Sequence, residues 1–332
     1  MMRDSLAALL GLAAYAIYST HDVIVKDLGA TFSPIQIVFF SALLGFPIIT
    51  VYLIGDPAPK RLRPAHPWWI ALRSVSGTIS AVCAFYAFAV LPLPEAYSFI
   101  FATPLLITLL AVPLLGERIR LRRGIAVLVG LVGVLIVLRP GASPISGGHL
   151  AALGAAFSAA LNAVIVRKIS NDEPVVVMVL YPMLTNLIVT AFALPFVYID
   201  VELLHLALFG LTSMLVLCGM TLIVSAYSRG SALVVAPMQY SQMIWGTLFG
   251  VVLFGEWPAW QTYLGVAVIV ASGVYILKRE ATHDVSRTTP VLATKSRMGH
   301  AFALRASLMR RLRQGDIPAR QKRDSELDEP HD

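Results

Sequence analysis

The sequence predicts an all-α polytopic membrane protein, with ten transmembrane helices forming two inverted five-helix repeats. Three observations predict this. The chain has 332 residues, of which 57% are hydrophobic and only 14% charged, where a soluble domain carries roughly a quarter charged residues. Its mean hydropathy is +0.75, so it lacks the polar surface needed to dissolve in water. Apolar runs recur along it at the length of a membrane span. Finally, one unit is used twice. Phe101–Glu117 and Ser241–Glu256 are nearly uncharged runs that each close on Gly-Glu, 139 residues apart, and each precedes one more apolar run, Gly124–Leu138 or Gly265–Leu277.

Crossing about 30 Å of hydrocarbon takes ~20 apolar helical residues. Leu6–Val25 comes first. It runs too long and too continuously after Met1-Met2-Arg3-Asp4 for a signal peptide and is read as a retained span. Then follow Pro34–Ile54, Trp68–Leu91, Ala96–Leu115, Gly124–Leu138, His149–Val166, Val175–Val197, Leu206–Tyr227, Ala232–Phe254 and Thr262–Leu277. The breaks between them carry Pro, Gly and charge, as in Asp56-Pro-Ala-Pro-Lys-Arg61 and Asn171-Asp-Glu-Pro174. Helices are required, because irregular chain facing lipid leaves amide groups unpaired. The runs are continuous rather than alternating, which excludes a barrel.

Placing the N-terminus in the cytoplasm puts Arg3, Lys60, Arg61, Arg63, Arg118, Arg120, Arg122, Arg123, Arg167, Lys168 and Arg229 on that side. Only Lys26 and Arg139 fall outside. This positive-inside bias predicts a multi-pass protein of the inner or plasma membrane with both termini cytoplasmic. Five spans per repeat is an odd number, so the second repeat enters the membrane in the opposite sense. Residues 5–139 then form the first repeat (spans one to five) and 147–279 the second (spans six to ten). Residues 280–332 form a basic tail, either disordered or with an amphipathic helix at 297–313 on the inner leaflet. The net charge of +7 reflects basic loops and this tail, which fit anionic lipid and not nucleic acid. Cys83 and Cys218 lie inside apolar runs and read as buried small hydrophobes, not as a disulfide.

The doubled unit resembles the EamA family of the drug/metabolite transporter superfamily. The residues that carry the resemblance are Pro104–Arg118, Gly130–Gly141, Gly255-Glu-Trp-Pro258 and Gly265–Leu277, within a likeness covering about residues 5–280. Met243 departs from a frequent proline of the second repeat, and Ala126 from a frequent glycine of the first. The resemblance implies that superfamily's fold and a permease moving solute across the membrane. The polar run Tyr18–Lys26 looks like members that move amino acids, S-adenosylmethionine or riboflavin.

Polar side chains at mid-bilayer are costly unless they pair, line water or bind solute. In span nine Gln239, Tyr240 and Gln242 crowd at one depth, with Trp245 a turn beyond. Neutral amides and phenols orient a polar solute without burying a charge. Tyr97, Ser98, Phe101 and Thr103 of span four stand opposite under the pseudo-symmetry, and Pro104 there frees a backbone carbonyl. Tyr86 offers an aromatic wall, and Asn162 ends a small-residue stripe on span six. The alternative for the polar groups is hydrogen bonding to neighbouring helices, and for the aromatics, Tyr86, Phe101, Tyr240 and Trp245, lipid-facing or core packing is the plainer reading. Asp22 and Lys26, four apart, share a helical face, which predicts a local ion pair. The functional reading makes His21, Asp22 and Lys26 a proton-sensitive gate. Arg73 either snorkels to the interface, anchors an anionic group, or partners another helix. Glu117 and Glu256 are read as structural, pairing with or capping helix ends, and Glu95 as a solvated loop group.

Catalytic and metal-binding spacings are missing from the sequence, so neither an enzyme, a metal nor a cofactor is expected. The expected partners are a small-molecule solute, membrane lipids, and a proton or counter-solute. Two other classes stay open at this point: an intramembrane enzyme acting on a lipid-linked substrate, and a non-transporting membrane sensor.

Overall fold

The computed structural model describes residues 2–54, 62–116, 121–138, 145–170, 172–230 and 232–282. Glu117 and the expected helix at 297–313 lie outside the described residues. The described chain folds as α1 (Met2–Leu28), α2 (Pro34–Ile54), α3 (Pro67–Val90), α4 (Leu93–Ile100), α5 (Thr103–Leu115), α6 (Leu121–Leu138) and α7 (Gly147–Ile169). It continues through α8 (Val175–Ala193), α9 (Leu203–Arg229), α10 (Ala232–Val235), α11 (Ser241–Phe254) and α12 (Trp260–Thr282), with no strand among the described residues.

Six helical segments are long and apolar enough to cross a membrane: Ser5–Leu28, Pro67–Val90, Leu93–Leu115, Gly147–Ile169, Val176–Phe196 and Leu203–Arg229. Pro34–Pro47, Gly124–Leu138 and Trp260–Ile276 are shorter apolar helices. Large apolar side chains also cover the outside, among them Leu9, Leu128, Phe192, Ile244 and Val252. Such a coat suits lipid tails, which are as apolar as leucine. The chain is a multi-pass membrane protein.

Two of the expected spans are interrupted within their first half, and the sequence supplies the cause. Ala96–Leu115 divides into α4 and α5 around a turn at Phe101-Ala102. Pro104 has no N–H for the carbonyl of Ile100, and the Thr103 hydroxyl donates to that oxygen instead, at 2.6 Å. Ala232–Phe254 divides into α10, a 3-10 turn at Ala236–Tyr240 and α11. Here Pro237 withholds the N–H, so the break arises upstream of Met243, which sits buried inside α11.

The duplicated Gly-Glu has a local reason too. Gly116 and Gly255 end α5 and α11 with φ of +70° and +66°. This left-handed conformation closes a helix, and glycine adopts it without the strain a Cβ would bring. The N–H of Glu256 turns back to the carbonyl of Gly250 at 2.9 Å.

The most extensive helix contacts pair α1 with α9, α3 with α7, and α6 with α12. Small residues bring α3 and α7 together: Ser80 Oγ donates to Ala155 O at 3.0 Å, and Gly77 leaves room for the amide of Asn162, the end of the stripe on span six. Helices α6 and α12 touch backbone to backbone, since a Cβ on Gly265 would lie 2.6 Å from the carbonyl oxygen of Gly133. Ser272 Oγ adds a hydrogen bond to Ala126 O.

The two ends of α3 order the bundle. At its start Lys168 Nζ lies 4.5 Å from the Trp69 ring centroid and donates to Leu114 O at 2.8 Å. At its finish Lys26 donates to Leu91 O at 2.7 Å and pairs with Glu256 at 2.9 Å. The C-terminal ends of α5 and α11 therefore lie at opposite ends of α3.

Candidate functional site

A cavity of about 140 Å³ lies between the first and second halves of the chain, beside both interruptions. From the first half α1 contributes Tyr15 and Tyr18, α3 contributes Ser80, Ala84 and Phe88, and α4 and α5 contribute Tyr97, Ile100, Thr103, Pro104 and Ile107. From the second half come Ala155 and Ala159 of α7, Ile223 and Tyr227 of α9, and Gln239 and Gln242 around the start of α11.

Five of the residues singled out in the sequence share this lining: Tyr97, Thr103, Pro104, Gln239 and Gln242. The other candidates turn elsewhere. Ser98 Oγ donates to Pro94 O within its own helix, at 2.7 Å. Phe101 stacks on Tyr97 and meets Tyr240 edge-on, with centroids 6.0 and 5.4 Å apart. Tyr240 itself reaches α12, its hydroxyl filling the space beside Gly273. Trp245 stacks with Phe249. Tyr86 is exposed and borders Gly147 at the start of α7, and Asn162 stays in the α3–α7 seam. Tyr15, Tyr18 and Tyr227 were not anticipated in the lining. A usable signal existed for two of them, since Tyr15, Tyr18 and Asp22 repeat at i, i+3 and i+7 and share one helical face.

Behind the cavity wall, Asp22 is fully buried. Tyr97 OH donates to its Oδ2 at 2.8 Å, and His21 Nδ1 lies 2.8 Å from its Oδ1. Neighbouring helix positions point about 100° apart, yet Nδ1 lies close enough to the root of the ring to fold back onto the next carboxylate. The expected Asp22–Lys26 pair is not formed. Lys26 extends instead toward the C-terminal end of α3, where helix carbonyls lack partners and partial negative charge collects. It donates to Phe88 O at 3.3 Å and Leu91 O at 2.7 Å, and its ion pair is with Glu256. The other oxygen of Glu256 accepts the N–H of Leu93 at 3.3 Å, at the start of α4. One lysine and one carboxylate thus tie α1, α3, α4 and the end of α11 together.

Arg73 is buried and donates through Nη1 to Met178 O of α8, so it fastens a neighbouring helix and does not snorkel. Glu95 is paired rather than solvated. Ser146 N donates to His149 Nδ1 at 3.0 Å, which leaves Nε2 carrying the proton that faces Glu95 Oε1 at 2.9 Å.

Known proteins resemble this chain along most of its length. An S-adenosylmethionine uptake transporter of Rickettsia bellii is 26% identical, covering 79% of this chain and 90% of its own. The pseudopaline exporter CntI of Pseudomonas aeruginosa is 28% identical, covering 80% and 93%. A riboflavin transporter of Vibrio cholerae is 28% identical, covering 70% and 79%. A crystal structure of a protein 22% identical shares the fold, with a TM-score of 0.55 over 84% of this chain and 99% of that one. The EamA-like transporter family matches twice, over residues 5–139 and 146–278. With a match in each half and most of its length covered, the chain belongs to the EamA-like transporter family.

Proposed function

We propose that the chain is a secondary active transporter whose ten membrane-crossing segments form two inverted five-helix repeats. It moves a small polar or amphipathic metabolite across the inner or plasma membrane by alternating access, and both termini face the cytoplasm. The observation that carries this reading is a cavity built jointly by the two halves at the level of both interrupted spans. Discontinuous helices at a repeat interface are where such transporters bind solute.

The packing supports the two-fold relation. Counting α4 with α5 as span four and α10 with α11 as span nine, exchange of the halves turns the α1–α9 pair into the α7–α3 pair. It turns α1–α11 into α7–α5 and α2–α9 into α8–α3, and returns α6–α12 and α2–α8 to themselves. The relatives support a small-molecule cargo, being named for S-adenosylmethionine uptake, pseudopaline export and riboflavin transport.

Single cysteines at positions 117 and 256, on a cysteine-free background, test the topology. Position 117 is expected to react with an impermeant thiol reagent from the cytoplasmic side and position 256 from the opposite side. Labelling of both from one side overturns the inverted arrangement.

Coupling is assigned to Asp22. The titratable groups near it include His21, Lys26 and Tyr18 on its own helix, Tyr97 from α4, and Glu256 beyond Lys26. Asp22→Asn keeps the size and loses the titration. In proteoliposomes this variant is expected to sustain downhill flux that no longer responds to an imposed pH gradient. A response equal to wild type removes Asp22 from the coupling path.

A further inference from the structure

Among the described residues, no Asp, Glu, Lys, Arg or His side chain lines the central cavity. Its polar surface comes from phenols, hydroxyls and two carboxamides, and several of these already have partners. Ser80 Oγ is spent on Ala155 O, Thr103 Oγ1 on Ile100 O, and Tyr97 OH on Asp22. Gln242 differs. It is only 3% exposed, it lines the cavity, and its buried Nε2 finds no acceptor among the described residues. A buried donor left unmatched carries a desolvation penalty, so each instance in a folded protein needs an explanation.

A carboxamide shows a donor and an acceptor side by side, and an amide edge of complementary order satisfies both at once. This chain already uses that pairing. Gln36 Nε2 donates to Ile199 O at 2.6 Å, while its Oε1 accepts from Ile199 N at 3.0 Å. Glutamine reads a nucleobase edge in the same bidentate way. Rotating the amide by half a turn exchanges its N and O, and a partner with adjacent donor and acceptor fits either orientation.

Charge and shape narrow the class further. An anionic solute would lose its hydration and meet no cation in the lining. The Asp22 carboxylate, behind the Tyr97 hydroxyl, repels it as well. Tyr18, Phe88 and Tyr97 offer aromatic surface on which a flat ring packs by stacking or edge contact. A volume of about 140 Å³ is on the scale of an apolar cavity that holds one benzene ring.

We infer that this cavity takes a non-anionic, planar heterocycle bearing a lactam or carboxamide edge, read bidentately by Gln242. The inference rests on the cavity being the solute site proposed above. The test uses purified full-length protein and four probes: uracil and nicotinamide as neutral amides, benzoate as an anion, and tetramethylammonium as a cation. Binding is read by calorimetry and by ligand-induced thermal shift, for wild type, Gln242→Leu, and a cavity plug, Ala159→Trp.

The expected result is binding of a neutral amide, weakened about tenfold or more in Gln242→Leu through the lost paired hydrogen bonds and absent in the plug. Gln242→Leu without ligand is expected to melt no lower than wild type, because it removes an unmatched donor. That outcome sets a binding role apart from a structural one. Binding of only the charged probes, lost in the plug, overturns the solute class and leaves the cavity reading standing. Neutral-amide binding that survives the plug overturns the cavity reading. No binding by either amide at millimolar concentration overturns the solute class, as does binding that Gln242→Leu leaves unchanged.

Discussion

Replacing Lys26 with methionine is expected to abolish transport and to destabilise the protein by about 3 kcal/mol, the low end of what breaking a buried ion pair costs. The low end applies because Glu256 retains 22% side-chain exposure and recovers some hydration. Lys26 answers three negative groups at once: the Glu256 carboxylate and the end carbonyls of α3 at Phe88 and Leu91. Without it the carboxylate faces those carbonyls unneutralised, and α1, α3 and α11 lose their common fastening. The double variant Lys26→Met with Glu256→Gln separates the two effects. Removing both charges is expected to restore most of the melting temperature while flux stays low, because the fastening is still missing. Thermal unfolding of the purified variants and solute flux in proteoliposomes measure this. Wild-type flux in the single variant would show that the fastening plays no part in the cycle.

The second large effect is expected far from the cavity, at Gly265. A Cβ there would stand 2.6 Å from Gly133 O and 2.5 Å from Val137 Cγ2. One of those obstacles is backbone and has no rotamer to retreat into. Close packing, not a hydrophobic drive, holds helices together in lipid. Gly265→Leu is therefore expected to cost about 3 kcal/mol or more, the upper range for overpacking, and to cut the yield of folded protein sharply. No described residue of α6 or α12 lines the cavity, so flux per folded molecule should stay near that of wild type. Size-exclusion recovery, melting temperature and flux normalised to folded protein check this. A specific-activity loss as large as the stability loss would place the α6–α12 pair in the transport movement.

The all-helical, membrane-crossing character was legible, because long apolar runs need only composition and length to be seen; the structure has six helices long and apolar enough to cross, with three shorter apolar ones, among the described residues. The ends of two helices were legible as well, since Gly-Glu at 116 and 255 is a stop signal that works locally. Facing was harder. Gln239 lines the cavity while Tyr240 does not, and Ala236–Tyr240 is a 3-10 turn, where three residues per turn replace 3.6 and a helical wheel misplaces each position. Lys26 was assigned the wrong partner for another reason. Asp22 is its neighbour on the helix, but the carboxylate it meets is 230 residues further along, and spacing within one helix says nothing about that. Tyr15 and Tyr227 went unnoticed because a ring inside an apolar run reads equally well as packing, and Tyr18 entered only as the first residue of the polar run Tyr18–Lys26.

Gly246 and Tyr97 impose a mechanical condition on any rearrangement. The Tyr97 ring sits where a side chain on Gly246 would begin, since a Cβ there would fall 2.3 Å from Cε2. Residue 97 belongs to one half of the molecule and residue 246 to the other, so the ring works as a key cut to a single slot. Sliding α4 along α11 carries the ring out of that notch. The same displacement draws its hydroxyl off Asp22, so a change of shape at the seam arrives as a change in the company a buried charge keeps.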